Sequence, residues 1–404
     1  MDLLEVESLD NAINLASKVM KDLGFKKTVE KEILDSKGYI LASNLVAKED
    51  LPHFRKSTMD GYAINYKDSL GATDTIPSII KVVETIEIGN APTKAIKRGE
   101  ASRIFTGGML PDGADAVIPV EYTEDIPGDL ISIYKPMNYL TNVIEIGDDT
   151  KKGDVYLKKG KVIDSNTIAM AASLGYSKLK VYDKLKCILI STGDEIIGID
   201  EKLKPAKSRN INSYMLKSML EDLPIDVISE KLIRDDRNLI EKELKRDVDL
   251  IVISGSSSKG NKDFVPDISK NLNPGMIFHG ISIKPGKPTS LSVNNKTMIL
   301  GLPGNPISAY ASFKVFFEKA FKRYFGIEDE FKIECIIDKN IATTGREEVK
   351  LLNIRREEDK LVASPIFGFS NNISLLKNAN GYMIISKDLE GIRIGEKVRV
   401  NLLK

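Results

Sequence analysis

Leu185-Lys186-Cys187-Ile188-Leu189-Ile190-Ser191-Thr192-Gly193-Asp194-Glu195 runs from a closed apolar stretch straight into a polar turn. An apolar run of this length, without alternation, is the pattern of a strand covered on both faces, since alternation is needed only where one face meets water. Working outward, 250–254 and 298–302 share that character, and 226–229 and 276–283 complete a set of candidate strands. Helical spacing falls at 212–223, 237–245, 263–271 and 306–325. The last stretch has Asn305 in the capping place, Pro306 at the first helical position and Gly326 just past the end, the usual asymmetry of helix ends. Strand and helix in alternation predict a doubly wound, mostly parallel α/β domain over 183–328.

On the N-terminal side, Leu9, Ala12, Ile13, Ala16, Val19, Met20 and Leu23 keep an i, i+3, i+4, i+7 rhythm between Ser8 and Gly24. This predicts an amphipathic helix over 9–23, and a second short helix is expected around 30–36. From 46 to 140 short apolar runs such as 78–83 and 116–119 stand between Gly, Pro and Asp turns, which predicts a β-rich domain. Residues 141–182 carry turn signals at Lys152-Gly153-Asp154 and Lys159-Gly160-Lys161 and a short helical stretch near 167–173. They read as a return to the first domain. The expected organisation is an α+β N-terminal domain over 1–45 plus 141–182, an inserted β-rich domain over 46–140, the α/β domain, and a small C-terminal β-domain over 329–404.

Bulk properties exclude more than they assign. A chain of 404 residues is too long for one core, so two to four domains are expected. Lys plus Arg (59) nearly cancels Asp plus Glu (58), so no global field draws the protein to nucleic acid or an anionic membrane. No apolar run approaches the roughly 20 residues of a membrane span, and the acidic start is unlike a signal peptide; a cytoplasmic protein is expected. Two cysteines, Cys187 and Cys335, sit in apolar strand-like stretches and read as core residues. With only His53 and His279, His-rich metal sites and Ser-His-Asp catalysis are poor fits. Chemistry must come from carboxylates, lysines, hydroxyls and backbone amides.

In an open parallel sheet, ligands bind beyond the carboxyl ends of the strands. Three candidate loops stand there. Ser191-Thr192-Gly193-Asp194-Glu195 combines backbone access with two carboxylates able to hold Mg²⁺, or is simply a turn with solvated acids. Ser254-Gly255-Ser256-Ser257-Ser258-Lys259-Gly260-Asn261-Lys262-Asp263 follows a strand and leads into a helix, an oxyanion cradle by composition. Gly255 and Gly260 have P-loop separation, but Asn261 and Lys262 stand where Lys and Ser or Thr belong, so that reading fails. Leu302-Pro303-Gly304-Asn305-Pro306 pins a helix entry at the same edge. Ile283-Lys284-Pro285-Gly286-Lys287-Pro288 puts Lys284 and Lys287 on a stiff turn, suited to an oxyanion.

These segments, with Met59-Asp60-Gly61-Tyr62-Ala63, Thr106-Gly107, Pro111-Asp112-Gly113-Ala114-Asp115-Ala116-Val117, Gly147-Asp148-Asp149 and Arg234-Asp235-Asp236, resemble one family in order and spacing along nearly the whole chain. The chain is similar to the molybdopterin molybdenumtransferases of the MoeA family and to the E domain of gephyrin. The resemblance implies an elongated N-terminal domain, a homodimer with the active site shared between subunits, and Mg²⁺-dependent insertion of molybdate into adenylyl-molybdopterin with release of AMP. It implies molybdopterin adenylyltransferase as the upstream partner. By position it implies that Asp60, Asp149, Glu195, Asp235, Asp263 and Thr106 carry the chemistry, with Glu195 and Asp263 on Mg²⁺. Thr192, Gly193, Ser254, Gly255, Ser256, Gly260, Pro303, Gly304, Asn305 and Pro306 would hold the nucleotide and pterin phosphates, and Lys284 and Lys287 the molybdate.

The chain departs from the family in three places. Gly255-Ser256-Ser257-Ser258 replaces Gly-Gly-Val-Ser, and Asn210-Ile211-Asn212 replaces Asp-Ser/Thr-Asn, which implies one polar contact fewer. Phe369-Ser370-Asn371-Asn372 matches its loop loosely. Two alternatives stand: the same reaction with tungstate, whose size and charge nearly match, and a non-catalytic molybdopterin-binding carrier or scaffold. A carrier has less need of five carboxylates and two lysines.

Overall fold

A computed structural model describes residues 6–255, 264–328 and 331–403. Six strands form the central sheet: β1 (Leu185–Thr192), β2 (Ile225–Ile233), β3 (Leu250–Ser254), β4 (Pro274–His279), β5 (Ser290–Asn294) and β6 (Thr297–Leu302). Their order is β2-β1-β3-β6-β5-β4. The first four run parallel; β5 is antiparallel to both β6 and β4, so β5 runs opposite to the rest of the sheet.

The unbroken apolar run of β1 is explained by burial on both faces. Cys187 and Leu189 face a core with Leu250, Val252, Leu300, Leu216 and Leu220. Ile188 and Ile190 face another with Ile251, Ile253, Ile299, Ile240 and Leu244. The crossover helices Ile211–Glu221 and Arg237–Leu244 therefore cover opposite faces, the doubly wound arrangement.

β2 is longer than its expected 226–229 because it is an edge strand: half its residues point to water, so its charged side chains disguise it as a loop. β5 was not expected, since its buried Ser290 and Ser292 break the apolar signal. The expected strand over 276–283 is two pieces, because Gly280 turns the chain at φ +116°. The helix expected over 306–325 is continuous but contains a π-helical turn, Phe313–Phe317, between Pro306–Ser312 and Glu318–Phe325. It packs beside the Leu9–Asp22 helix in the first core.

The short helix expected around 30–36 is a correction. Thr28–Glu32 is a strand paired antiparallel with Lys178–Tyr182, and only Leu34–Ser36 turns, as a 3-10 helix. Its pairing partner lies about 150 residues away in sequence, beyond the reach of any local pattern.

At the C-terminal end, Glu347–Glu357, Lys360–Pro365, Lys332–Ile337, Lys397–Leu402 and Gly381–Ile385 pair in succession. Glu347–Glu357 also pairs with Gly381–Ile385, closing the strands into a small barrel around Cys335, Leu352, Met383 and Val400. The short strand Ile283–Lys284 pairs in parallel with Glu347 and Glu348 of this barrel. Both cysteines are buried and free.

The chain divides into two compact units, one holding residues 1–43, 159–168 and 177–404, the other residues 44–158 and 169–176. The second contains a six-stranded sheet ordered Ala116–Pro119, Gly61–Ile64, Glu100–Ile104, Ser78–Ile86, Leu130–Ile133 and Thr123–Ile126. Among the described residues no helix is long and apolar enough to cross a membrane.

Phe317 is fully buried with its ring 5.2 Å from Phe313 and 6.3 Å from Phe321. Phe317→Ala should cost about 3–5 kcal/mol and lower the thermal midpoint measurably. Phe331→Ala, at a side chain 92% exposed, should change stability by no more than about 0.5 kcal/mol, and calorimetry of the two variants checks the contrast.

Candidate functional site

Strand register builds the site. Thr192 stands opposite Ile233, Ser191 opposite Ser254, and Ser254 opposite Leu302. The residues that follow β2, β1, β3 and β6 therefore leave the sheet in one row. The strand order reverses between β1 and β3, the switch point at which such sheets bind ligands.

There a cleft of about 510 Å³ opens, lined by Thr192, Glu195, Asp235, Ser254, Gly255 and Pro303 to Pro306, together with Ser208 to Asn212, Ser308 and Asn371. Close backbone approach shapes its floor. A Cβ on Gly255, at φ +131°, would lie 2.0 Å from the Thr192 carbonyl oxygen, and one on Gly304 would lie 3.3 Å from Gly255. Gly193 holds the first turn at φ +154° without lining the cleft.

Asn212 ties the loops together. Its Nδ2 donates to Ser254 Oγ at 2.8 Å and to the Gly304 carbonyl at 2.8 Å, and Ser254 Oγ donates to the Pro303 carbonyl at 3.0 Å. Asn210 caps the helix that carries Asn212: its Oδ1 accepts from Ser213 N at 3.2 Å, and its Nδ2 donates to Ser213 Oγ at 2.8 Å. Ser213 Oγ also meets Ser191 Oγ at 2.8 Å. The Asp-to-Asn departure therefore keeps its cap, and the polar contact forgone lies at Ile211. Asn305 sits at the helix N-cap with no capping bond; its amide donates to Ser370 Oγ instead, at 3.2 Å. Asp236 caps the Arg237–Leu244 helix through Asn238 N and Leu239 N, which leaves Asp235 free to line the cleft.

Three buried atoms at this cleft have no hydrogen-bond partner among the described residues: Thr192 Oγ1, Asn212 Oδ1 and Asp235 Oδ1. A buried polar atom without a partner is costly, and each one calls for an explanation. Their convergence marks this cleft as built for a polar ligand.

Lys284 and Lys287 line a second cavity of about 460 Å³, with Arg346, Glu348, Lys350, Phe367 and Ser370. Pro288 and Ser308 line both cavities. Glu348 is buried, accepts from Thr344 N and Oγ1 at 2.9 and 2.6 Å, and pairs with Lys350 at 3.0 Å and Lys284 at 3.7 Å. These bonds hold its carboxyl below the usual range despite burial. Lys284 is thus placed by the barrel as well as by its own turn. Arg346 and Asn371 were not legible as site residues because each lies far along the chain from the loops it joins, and Ser308, inside the helix that follows Pro306, carries no motif of its own.

In the β-rich unit, Gly61 stands opposite Ile104, so Asp60 and Thr106 emerge at the same sheet end. Asp60 Oδ1 accepts from Thr106 N at 2.7 Å and Thr106 Oγ1 at 2.8 Å. The backbone bond, then the side-chain bond, lower the Asp60 pKa. Asp149 is exposed in a turn of the same unit, its N–H bonded to the Leu51 carbonyl at 3.0 Å. Ser256, Gly260 and Asp263 lie outside the described residues.

The geometry now has a context among known proteins. The chain matches the MoeA N-terminal region (domain I and II) over residues 7–175, the probable molybdopterin binding domain over 188–323 and the MoeA C-terminal region (domain IV) over 339–403. It is 34% identical over 374 residues to a molybdopterin molybdenumtransferase of Staphylococcus aureus, covering 91% of this chain and 89% of that one. A molybdopterin biosynthesis protein of Methanocaldococcus jannaschii is 35% identical over 392 residues, covering 94% and 93%. The crystal structure of the molybdopterin biosynthesis MoeA protein of Pyrococcus horikoshii superposes with TM-score 0.80 at 31% identity, covering 99% of this chain and all of that one. With the sheet, the strand-end cleft and the barrel all in place, the chain belongs to the MoeA family, the molybdopterin molybdenumtransferases of molybdenum cofactor biosynthesis.

Proposed function

We propose that this protein inserts molybdate into adenylyl-molybdopterin, in an Mg²⁺-dependent reaction that cleaves the phosphoanhydride and releases AMP. The observation that carries the reading is the adjacency of two cavities of different chemistry that share Pro288 and Ser308. One is a strand-end cleft with close-packed backbone, the other a pocket lined by three lysines and an arginine. An adenylylated pterin and an oxyanion need that pairing, because the two substrates are both anionic and must be held close.

In this reading Thr192, Gly193, Ser254, Gly255 and Pro303 to Pro306, with Ser256 and Gly260, hold the nucleotide and pterin phosphates. Lys284 and Lys287 hold the molybdate, helped by Arg346. Asp60, Thr106, Asp149, Glu195, Asp235 and Asp263 position the reacting groups. The Asp60–Thr106 pair lowers the pH at which the Asp60 carboxylate takes up a proton. The working form is a homodimer with the active site shared between subunits, in the cytoplasm, supplied by a molybdopterin adenylyltransferase.

Mg²⁺ can be tested against the residues present. Among the described residues no group of three or more His, Cys, Asp or Glu side chains is arranged to hold a metal. The cleft offers Glu195, exposed, and Asp235, whose Oδ1 lacks a partner. One or two carboxylates, with water and phosphate completing the shell, are what Mg²⁺ takes, so the residues fit. Glu195, Asp235 and, by resemblance, Asp263 are the groups that would hold it, and the ion supplies neutralisation of the phosphoanhydride charge.

The reading is tested by mixing the protein with adenylyl-molybdopterin and Mg²⁺, then adding molybdate or tungstate separately. Oxyanion-dependent AMP release, with a product that reconstitutes a cofactor-free molybdoenzyme or tungstoenzyme, is the expected outcome and names the preferred metal. Pterin binding without AMP release under either oxyanion would leave a carrier. Glu195→Ala should lower AMP release by about 10²-fold, the scale of losing one electrostatic stabiliser, with the elution volume unchanged. Lys284→Ala should raise the molybdate KM about tenfold, equivalent to ~1.4 kcal/mol, and weaken its salt dependence, leaving AMP binding intact. Thr106→Val, which removes the side-chain bond, should move the Asp60 carboxyl up toward its ordinary pKa, read by carbon NMR titration.

A further inference from the structure

Of the three orphaned atoms at the cleft, one belongs to a carboxylate and suits a cation. The other two, Thr192 Oγ1 and Asn212 Oδ1, are neutral, on side chains exposed by only 2% and 9%. The Asn212 amide cannot flip to resolve its orphan. Ser254 Oγ gives its hydrogen to the Pro303 carbonyl, so toward Asn212 it must accept, and the second partner of Nδ2, the Gly304 carbonyl, is an acceptor only. Turning the amide over would set oxygen against oxygen at Gly304. The carbonyl of Asn212, a residue that lines the cleft, is therefore held in one orientation as a buried acceptor without a donor. Phosphate and molybdate oxygens are acceptors too and cannot satisfy it. A neutral carbonyl in place of a second carboxylate also makes a poor Mg²⁺ ligand relative to Asp235 and Glu195.

We propose that Asn212 is a specificity-determining residue whose Oδ1 accepts a hydrogen bond from the exocyclic amine of the substrate's fused nitrogen ring, with Thr192 Oγ1, from another residue of the same cleft, able to accept or donate to that ring as well. This rests on the reading of the cleft as the adenylyl-molybdopterin site. Both the pterin and the adenine carry such an amine, so the chemistry is shared and the ring is left to experiment. Replacing the amine by a carbonyl sets acceptor against acceptor and leaves a buried group unpaired, which is how polar sites reject close analogues.

The test is saturation-transfer NMR, which reads weak binding, on the full-length protein in EDTA so that no metal bridges the contact. Two pairs are compared: pterin with lumazine, which has a carbonyl in place of the 2-amino group, and AMP with inosine monophosphate, in which a carbonyl replaces the 6-amino group. The expected result is that one pair differs by about tenfold or more in affinity, and that pair names the ring that Asn212 reads. In Asn212→Leu the ratio should fall to about one, an effect that loosened packing alone would not give, since it weakens both members of a pair alike. Asn212→Ser replaces it if the leucine variant does not fold. Equal binding within both pairs by the wild-type protein, or a ratio that survives in a folded variant, overturns the proposal. Failure of both pterin and AMP to bind at all overturns the reading of the cleft, and the proposal with it.

Discussion

The contact on which the site depends is backbone against backbone at the end of the parallel strands. The Gly255 Cα comes so close to the Thr192 carbonyl that a methyl group there would overlap it, and Gly304 packs on Gly255 in turn. Side chains at these positions would force the strand-end loops apart and open the row that register creates. With them absent, one small amide, that of Asn212, can span from β3 to the loop after β6. The sheet's two cores make this stable, because β1 and β3 are buried on both faces and have no freedom to shift.

The second cavity follows from a different constraint. Ile283–Lys284 leaves the central sheet and pairs with the barrel strand that carries Glu348. The loop of Lys284 and Lys287 is thereby fixed from two sides, and Gly286 is pressed so close to Ser312 of the long helix that a Cβ would lie 2.3 Å from its hydroxyl. Preorganisation of this kind lets lysines act on an anion without first being ordered by it. The barrel is small, but it contributes Arg346, Ser370 and Asn371 to the cavities, and so it is part of the chemistry of the central domain.

Much of the central fold could be read locally. Cys187 to Ile190 and Leu250 to Ser254 announce buried strands because every residue there loses water on folding. The elements that resisted were those whose residues keep one foot in solvent. Glu30 and Lys31 sit in a strand that only residues 178–182 can pair, and β2 shows its charges to water along the sheet edge. Ser290 and Ser292 are polar yet buried, because β5 lies between two strands and the pattern of hydrophobicity is silent about that.

The sequence alone determined the apolar strands and the helices of the core and which loops must sit at their ends, since burial, glycine freedom and proline rigidity act over a few residues. The MoeA resemblance rested on the same short motifs. Only the tertiary structure decided that Asp235 joins Thr192 and Gly255 in one cleft, that Lys284 and Lys287 belong to a neighbouring cavity completed by Arg346, and that Asn212 keeps an acceptor without a partner. Each of these depends on strand register and on contacts between residues far apart in the chain, and a distance of that kind is set by packing, which no local pattern encodes.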